Sequence, residues 1–213
     1  MAAGLVVDRA VPGAHLPVGL TLAACMVVIA RAGGLTASDL GLARSTWPAG
    51  LWWGAAAAAL VGAVYALAYL VPAVREALSD GARGDNGRAA LTAILVVVPL
   101  GTVLPEELAF RGLLPSLLAC RFGVLAATLL ASGVFGIWHV LPSLGGGAAN
   151  AAIAEVVGAD AAESMLRVVV TVLFTSAAGV VLCWLRQRSG SLLAPLLVHW
   201  TVNGLGVIVT LVA

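Results

Sequence analysis

The sequence predicts an all-α fold, a polytopic bundle of transmembrane helices, and three observations predict it. The first is polarity. Of the 213 residues 62% are hydrophobic and 10% charged, with a mean hydropathy of +1.08. A soluble domain is about 45–50% apolar and about 25% charged, so this chain lacks the polar surface to cover a soluble globule. The second is run length. Uncharged stretches recur at close to the ~20 residues that a helix needs to cross hydrocarbon. The third is the missing period of two. Strands of a membrane barrel alternate in polarity and these stretches do not, so the backbone must satisfy itself as helices. The count is six, seven or more membrane helices, in a single integral-membrane domain over residues 1–213. Disorder, a coiled coil and a disulfide scaffold are excluded by the same composition.

The elements follow in order. Asp8, Arg9, Pro12 and Gly13 precede an apolar run from Leu16 to Arg31, a short first span. Arg31 to Pro48 is rich in Gly, Ser, Thr and Asp and reads as a loop. Trp47, Trp52 and Trp53 open the next run, where an interfacial aromatic belt belongs. Leu51 to Val74 carries no charge and is the plainest transmembrane helix. Arg75 to Arg88, with Glu76, Asp80, Arg83 and Asp85, is a polar turn outside the membrane. Ala89 to Pro105 is a further span, and Glu106 to Cys120 either completes it or crosses by itself. The second alternative gives seven spans with the amino end inside and puts Arg75, Arg83, Arg88, Arg121, Arg186 and Arg188 inside, with Arg31 and Arg44 outside against the positive-inside trend. Phe122 to Pro142 is an uncharged run containing His139. Ser143 to Glu163, with Asn150, Glu155 and Asp160, reads as a loop or as a partly helical connection. Val168 to Leu185 is a clean span, Arg186-Gln187-Arg188 a tight basic turn, and Ser189 to Ala213 the last span.

Charge narrows the partners. Eleven basic residues, all Arg, stand against ten acids, for a net charge of +1. That leaves no basic field for nucleic acid; the partners are the lipid bilayer and a membrane-protein or peptide substrate. Cys25, Cys120 and Cys183 lie in apolar runs without metal-ligand spacing and read as small buried hydrophobes.

In a hydrocarbon setting the informative residues are the ionisable ones inside spans, which cost several kcal/mol unless paired or hydrated. Glu106, Glu107, Arg111, His139 and His199 are such residues, with Asn203 as a polar companion. Glu107 and Arg111, four apart, share a helix face and can pair. Glu106, turned by about 100°, is then left to face something else, and a desolvated carboxylate suits general-base work. Phe135 and His139 share a face, as do His199 and Asn203. His15 reads as an interfacial residue. Gly112, Gly133, Gly136, Gly179, Gly204 and Gly206 read as sites of close helix packing, and Gly145-Gly146-Gly147 as a flexible loop. An expensive set of this kind lines a site or a transport path. On the residues alone three readings stand: a peptidase, a non-catalytic membrane protein in which the same groups hold helices together, and a small ion-coupled transporter.

Three motifs occur in order: Glu106-Glu107-Leu-Ala-Phe-Arg111 (EExxxR), Phe135-Gly-Ile-Trp-His139 (FxxxH) and His199-Trp-Thr-Val-Asn203 (HxxxN), the last preceded by Gly-Ser-Leu-Leu-Ala-Pro at 190–195. Together they resemble the CPBP family of intramembrane endopeptidases, which includes the type II CAAX prenyl endopeptidases and the bacterial Abi relatives linked to bacteriocin processing or self-immunity. The resemblance spans residues 89–213 as a catalytic helical core; residues 1–88 are amino-terminal helices without a family signature. It implies a glutamic endopeptidase that hydrolyses a peptide bond of a membrane-associated protein or peptide. Glu106 would activate the water, His139 orient it, and His199 and Asn203 steady the oxyanion. Glu107, Arg111 and Phe135 would shape the site. The family's metalloprotease label carries an alternative, a divalent metal such as zinc on His139, His199 and Glu106. HExxH is absent and Asn is an uncommon zinc ligand, which favours a reaction that requires no cofactor. The relatives also carry a non-catalytic alternative, a bacteriocin self-immunity or scaffold factor. The all-Arg, Ala-rich composition points to a bacterial cell membrane.

Overall fold

The computed structural model describes residues 13–72, 74–75, 87–144 and 161–212. Among these, every regular element is helical. We number them α1 (His15–Ala32), α2 (Trp47–Tyr69, entered through a 3-10 turn at Arg44–Thr46), α3 (Gly87–Trp138), α4 (Val140–Leu144), α5 (Ala161–Ser189) and α6 (Leu193–Val212). Four stretches are long and apolar enough to cross a membrane: His15–Ala32, Arg44–Tyr69, Gly87–Trp138 and Ser164–Ser189. Leu193–Val209 is a shorter apolar helix. Large apolar side chains such as Trp52, Leu125 and Phe174 are exposed on the outer face. In hydrocarbon that exposure carries no penalty, and the chain is an integral membrane protein.

α3 is the spine. Residues 87–122 run without a reversal, so Glu106 to Cys120 continues the preceding helix and the seven-span arrangement falls. The backbone turns at Gly123, where φ is 78° and ψ 166°, a conformation that needs glycine. A second arm, residues 124–138, follows. The first arm is widened into π-helix at Ala93–Val103 and Leu108–Leu113. Pro99 lies inside the first widened stretch. A proline removes one donor and crowds the carbonyl four residues back, and a wider turn relieves both. Between the two widened stretches lies one α-helical turn, Leu104–Glu107, which carries Pro105, Glu106 and Glu107.

The other helices enclose this spine. α6 packs chiefly on α2, α5 on the second arm of α3, and α1 on the first arm. Leu182 and Leu185 of α5 meet Ala194 and Val198 of α6, with Trp53, Ala57 and Val61 of α2 against them. Trp53 and Trp184 meet edge to face at 5.6 Å. The loop after α1 is knitted to the α5–α6 corner. The Leu192 amide donates to the Gly41 carbonyl at 2.8 Å, and Arg186 Nη2 donates to the carbonyls of Ser38 and Asp39 at 3.0 Å each.

Several boundaries differ from the sequence reading. α2 ends at Tyr69 rather than Val74, two residues short of the Val71–Pro72 pair, and a residue before proline is pushed out of helix. Arg186, Gln187 and Arg188 are the last turn of α5, not a turn between spans; the reversal falls at Gly190, whose φ is +67°. His139 lies at the carboxyl end of α3 rather than within a span, its amide closing a tight last turn on the Gly136 carbonyl at 3.0 Å. Cys25 and Cys120 are exposed on the outer face, whereas Cys183 is buried. Ser143 and Leu144 belong to α4 and Ala161 onward to α5. Asp8, Arg9, Pro12, Glu76, Asp80, Arg83, Asp85, the Gly145–Gly147 run, Asn150, Glu155 and Asp160 lie outside the described residues.

Close packing depends on particular glycines. A Cβ on Gly136 would run into the Ser176 hydroxyl and lie 2.6 Å from the Val172 carbonyl oxygen of α5. At Gly133 and Gly206, also expected to pack closely, a Cβ would meet nothing within 4 Å. Gly136→Ala should therefore lower stability by about 1–3 kcal/mol through overpacking. Gly133→Ala should leave it unchanged or raise it. Thermal unfolding of the two variants in detergent separates them.

Candidate active site

The turn Leu104–Glu107 sets two adjacent carboxylates inside the bundle. Glu106 and Glu107 are both buried, as are Arg111 and His199. Arg111 Nη1 donates to Glu107 Oε1 at 3.0 Å, the pairing expected of residues four apart. The same oxygen lies 2.7 Å from His199 Nδ1. A carboxylate oxygen accepts, so Nδ1 carries the proton. Glu107 thus joins α3 to α6 and fixes the ring of His199. The other ring nitrogen, Nε2, lies 3.7 Å from Glu106 Oε2, too long for a direct hydrogen bond and short enough for a water to bridge.

Glu106 is held from the opposite side. Trp138 Nε1 donates to Glu106 Oε1 at 3.0 Å, a contact between the two arms of α3. His139, half-buried, donates from Nδ1 to the Phe135 carbonyl at 2.8 Å, which leaves Nε2 with its lone pair. It sits within electrostatic reach of both Glu106 and His199. Phe135 is the common wall. Its ring meets His139 at 4.5 Å and His199 at 5.9 Å, and the Arg111 guanidinium lies 3.9 Å from its centroid. Asn203 lies one turn beyond His199 on α6, half-buried. α3 and α6 thus bring together Glu106, Glu107, Arg111, Phe135, His139 and His199, whereas no hydrogen bond among the described residues ties Asn203 to them.

A cavity of about 230 Å³ opens between α1 and the first arm of α3. His15, Gly19, Met26, Pro105, Glu106 and Trp138 line it, and its wall is almost wholly apolar. Of these only Glu106 was singled out as a site residue by the sequence, and two of the others, Trp138 and His15, carry a polar group. Trp138 reads there as one residue inside FxxxH, although its place beside His139 was a usable signal. His15, read as interfacial, lies 2.9 Å by its Nε2 from the Thr102 hydroxyl; nothing local in the sequence joins positions so far apart.

The described residues offer no group of three His, Cys, Asp or Glu side chains set to hold one metal ion. His199 Nδ1 is held by Glu107 and His139 Nδ1 by the Phe135 carbonyl, which leaves Nε2 of each ring as the nitrogen through which either could ligate a metal.

The family model of the type II CAAX prenyl endopeptidase Rce1-like proteins matches residues 88–205, more than half of the chain and all three motifs. The chain belongs to this family. It is thereby a member of a family of membrane proteases, in agreement with the resemblance carried by the motifs. No curated protein and no solved structure matches. In this Rce1-like chain the matched stretch begins at the foot of α3 and ends within α6, so α1 and α2 lie outside it.

The buried pair has a testable consequence. Removing one partner leaves an uncompensated charge, at a cost of about 3–5 kcal/mol. Arg111→Met should lose that much stability in chemical unfolding, and adding Glu107→Gln should recover part of it. Nitrogen NMR of labelled histidine should show Nδ1 protonated in both His199 and His139.

Proposed function

We propose that this protein is an intramembrane endopeptidase that hydrolyses a peptide bond through a water activated by Glu106. The observation that carries the reading is the position of Glu106. One oxygen is held by Trp138 and the other faces His199, at the floor of an apolar cavity open between α1 and α3. A carboxylate fixed in orientation, poorly hydrated and beside a groove for an apolar chain has what a general base needs.

In this mechanism the water sits beside Glu106 Oε2 and gives it a proton, while His139 Nε2 accepts the other hydrogen and aims the oxygen. The oxygen attacks the scissile carbonyl. His199, protonated on both nitrogens, donates from Nε2 to the oxyanion, and the Glu107 carboxylate on Nδ1 stabilises that imidazolium. The Asn203 amide is the second donor. Such donors act where charge develops. The carbon–nitrogen bond then breaks, and the leaving nitrogen takes the proton from Glu106. No cofactor is required. The substrate is a membrane protein or peptide whose apolar segment enters the α1–α3 cavity, and the setting is a bacterial cell membrane.

The test is proteolysis of membrane peptides in liposomes, wild type beside Glu106→Gln, each with and without a strong chelator. Glu106→Gln should lose at least about 100-fold in rate, the lower end of general-base contributions, and the chelator should change nothing. Rates that match in wild type and Glu106→Gln would sink the peptidase reading. Activity lost in chelator and restored by zinc would overturn the cofactor-free mechanism. Trp138→Phe, which removes the N–H donor together with part of the ring that lines the cavity, should lower kcat.

A further inference from the structure

One end of the bundle gathers arginine. Arg31 lies in the last turn of α1, and Arg44 opens the 3-10 turn that leads into α2. Arg121 stands two residues before the Gly123 reversal of α3, and Arg188 lies in the last turn of α5. The loop contacts set all four at the same end. Arg186, half a turn before Arg188, reaches the carbonyls of Ser38 and Asp39. The Ser116 hydroxyl, a little over one turn before Arg121, donates to the Asp39 carbonyl at 2.9 Å. The Leu192 amide donates to the Gly41 carbonyl. The seven-span reading parts Arg31 and Arg44 from Arg121 and Arg188. The unreversed first arm of α3 brings them together.

The charge at this end is unmatched. Residues 31–48, 112–128 and 183–193 hold five arginines and one acid, Asp39. One Asp39 oxygen takes the Thr36 hydroxyl at 2.6 Å and its amide at 2.7 Å. Arg186 is half-buried and gives Nη2 to the loop carbonyls. Arg31, Arg44, Arg121 and Arg188 are exposed, and among the described residues no acid lies within ion-pair distance of them. The connection from α2 to α3, at the opposite end, is balanced: residues 75–88 hold three arginines and three acids.

The depth of these charges is marked by aromatic rings. The Arg44 guanidinium lies 5.9 Å from the Trp47 ring, that of Arg121 5.6 Å from Phe122, and that of Arg188 5.9 Å from Trp184. All three rings are exposed on the outer face. Exposed aromatics of this kind belong at the level of the lipid headgroups. There an arginine lays its stem along apolar surface and lifts its charge to the phosphates. The planar fork takes two phosphate oxygens at once. A zwitterionic headgroup brings a cation of its own, whereas an anionic one supplies the charge that the protein lacks at this end.

We propose that this end of the bundle is a binding surface for anionic phospholipid headgroups, held by Arg31, Arg44, Arg121 and Arg188. Two independent features carry it, the absence of acidic partners and the rings that set three of the four guanidinium groups at headgroup depth. None of the four belongs to the candidate active site, so the test reads lipid binding and not peptide cleavage.

The experiment is quenching of tryptophan fluorescence by brominated lipid. The full chain is reconstituted in phosphatidylcholine vesicles with rising shares of brominated phosphatidylglycerol, or of brominated phosphatidylcholine as the reference. Trp47 and Trp184 report beside two of the arginines. Phosphatidylglycerol should be preferred about fivefold, the worth of one basic side chain at an anionic membrane surface, and high salt should reduce that preference. Changing all four arginines to Gln should bring the preference close to one, while Arg75→Gln, in the balanced connection, should leave it unchanged. Changing all four to Lys should keep most of it. Thermal unfolding in phosphatidylcholine checks that the variants fold. If the fourfold Gln variant does not, Arg121→Gln combined with Arg188→Gln decides, and should lower the preference by about half. Equal quenching by the two lipids in the wild type, or a preference that survives the Gln changes, overturns the proposal and leaves these arginines to water or to an acidic protein.

Discussion

The arrangement rests on one buried carboxylate, Glu107. Its side chain has no exposed surface, and a single oxygen takes Arg111 from its own helix and His199 from α6. An ion of this kind costs several kcal/mol to desolvate, and attraction offsets that cost only when geometry and partners are in place. The cost makes the arrangement selective. Any displacement of α6 along α3 would part His199 from Glu107 and leave a buried imidazole N–H without its acceptor, so the bundle has one register in which the polar set is satisfied. In that register Glu106 falls one residue away, facing the other nitrogen of the same imidazole. Adjacent carboxylates on a helix diverge by about 100°, and that divergence separates the oxygen that binds the helices from the oxygen that faces the cavity.

The spine of α3 allows this by being irregular. Its first arm holds Pro99 in a widened stretch and Pro105 at the turn that carries the two acids. A regular helix would make all its own backbone bonds and pack as a plain rod. The Gly123 reversal returns the chain beside itself, so that Trp138, the last residue of the second arm, reaches Glu106 of the first. Both sides of the setting of Glu106, the Trp138 donor and the Pro105 turn, thus belong to one continuous stretch of chain. α5 supports the second arm at close range through Gly136, where a backbone carbonyl approaches.

Much of this was legible in the sequence, for a physical reason. In a membrane chain a charged residue in an apolar run is conspicuous, and Glu106, Glu107, Arg111, His139 and His199 stand out against their neighbours. The i, i+4 spacing gives the Glu107–Arg111 pair directly. The His199–Glu107 bond was not legible, because it joins positions 92 apart and depends on how α6 packs. Trp138 was hidden for a different reason: an aromatic in an apolar run reads as packing until its N–H is seen to have a partner. The span boundaries failed where hydropathy is blind to backbone. Gly123 breaks α3 within an uninterrupted apolar run, whereas the charges of Arg186 and Arg188 lie at a helix end, where they favour the negative pole of the dipole.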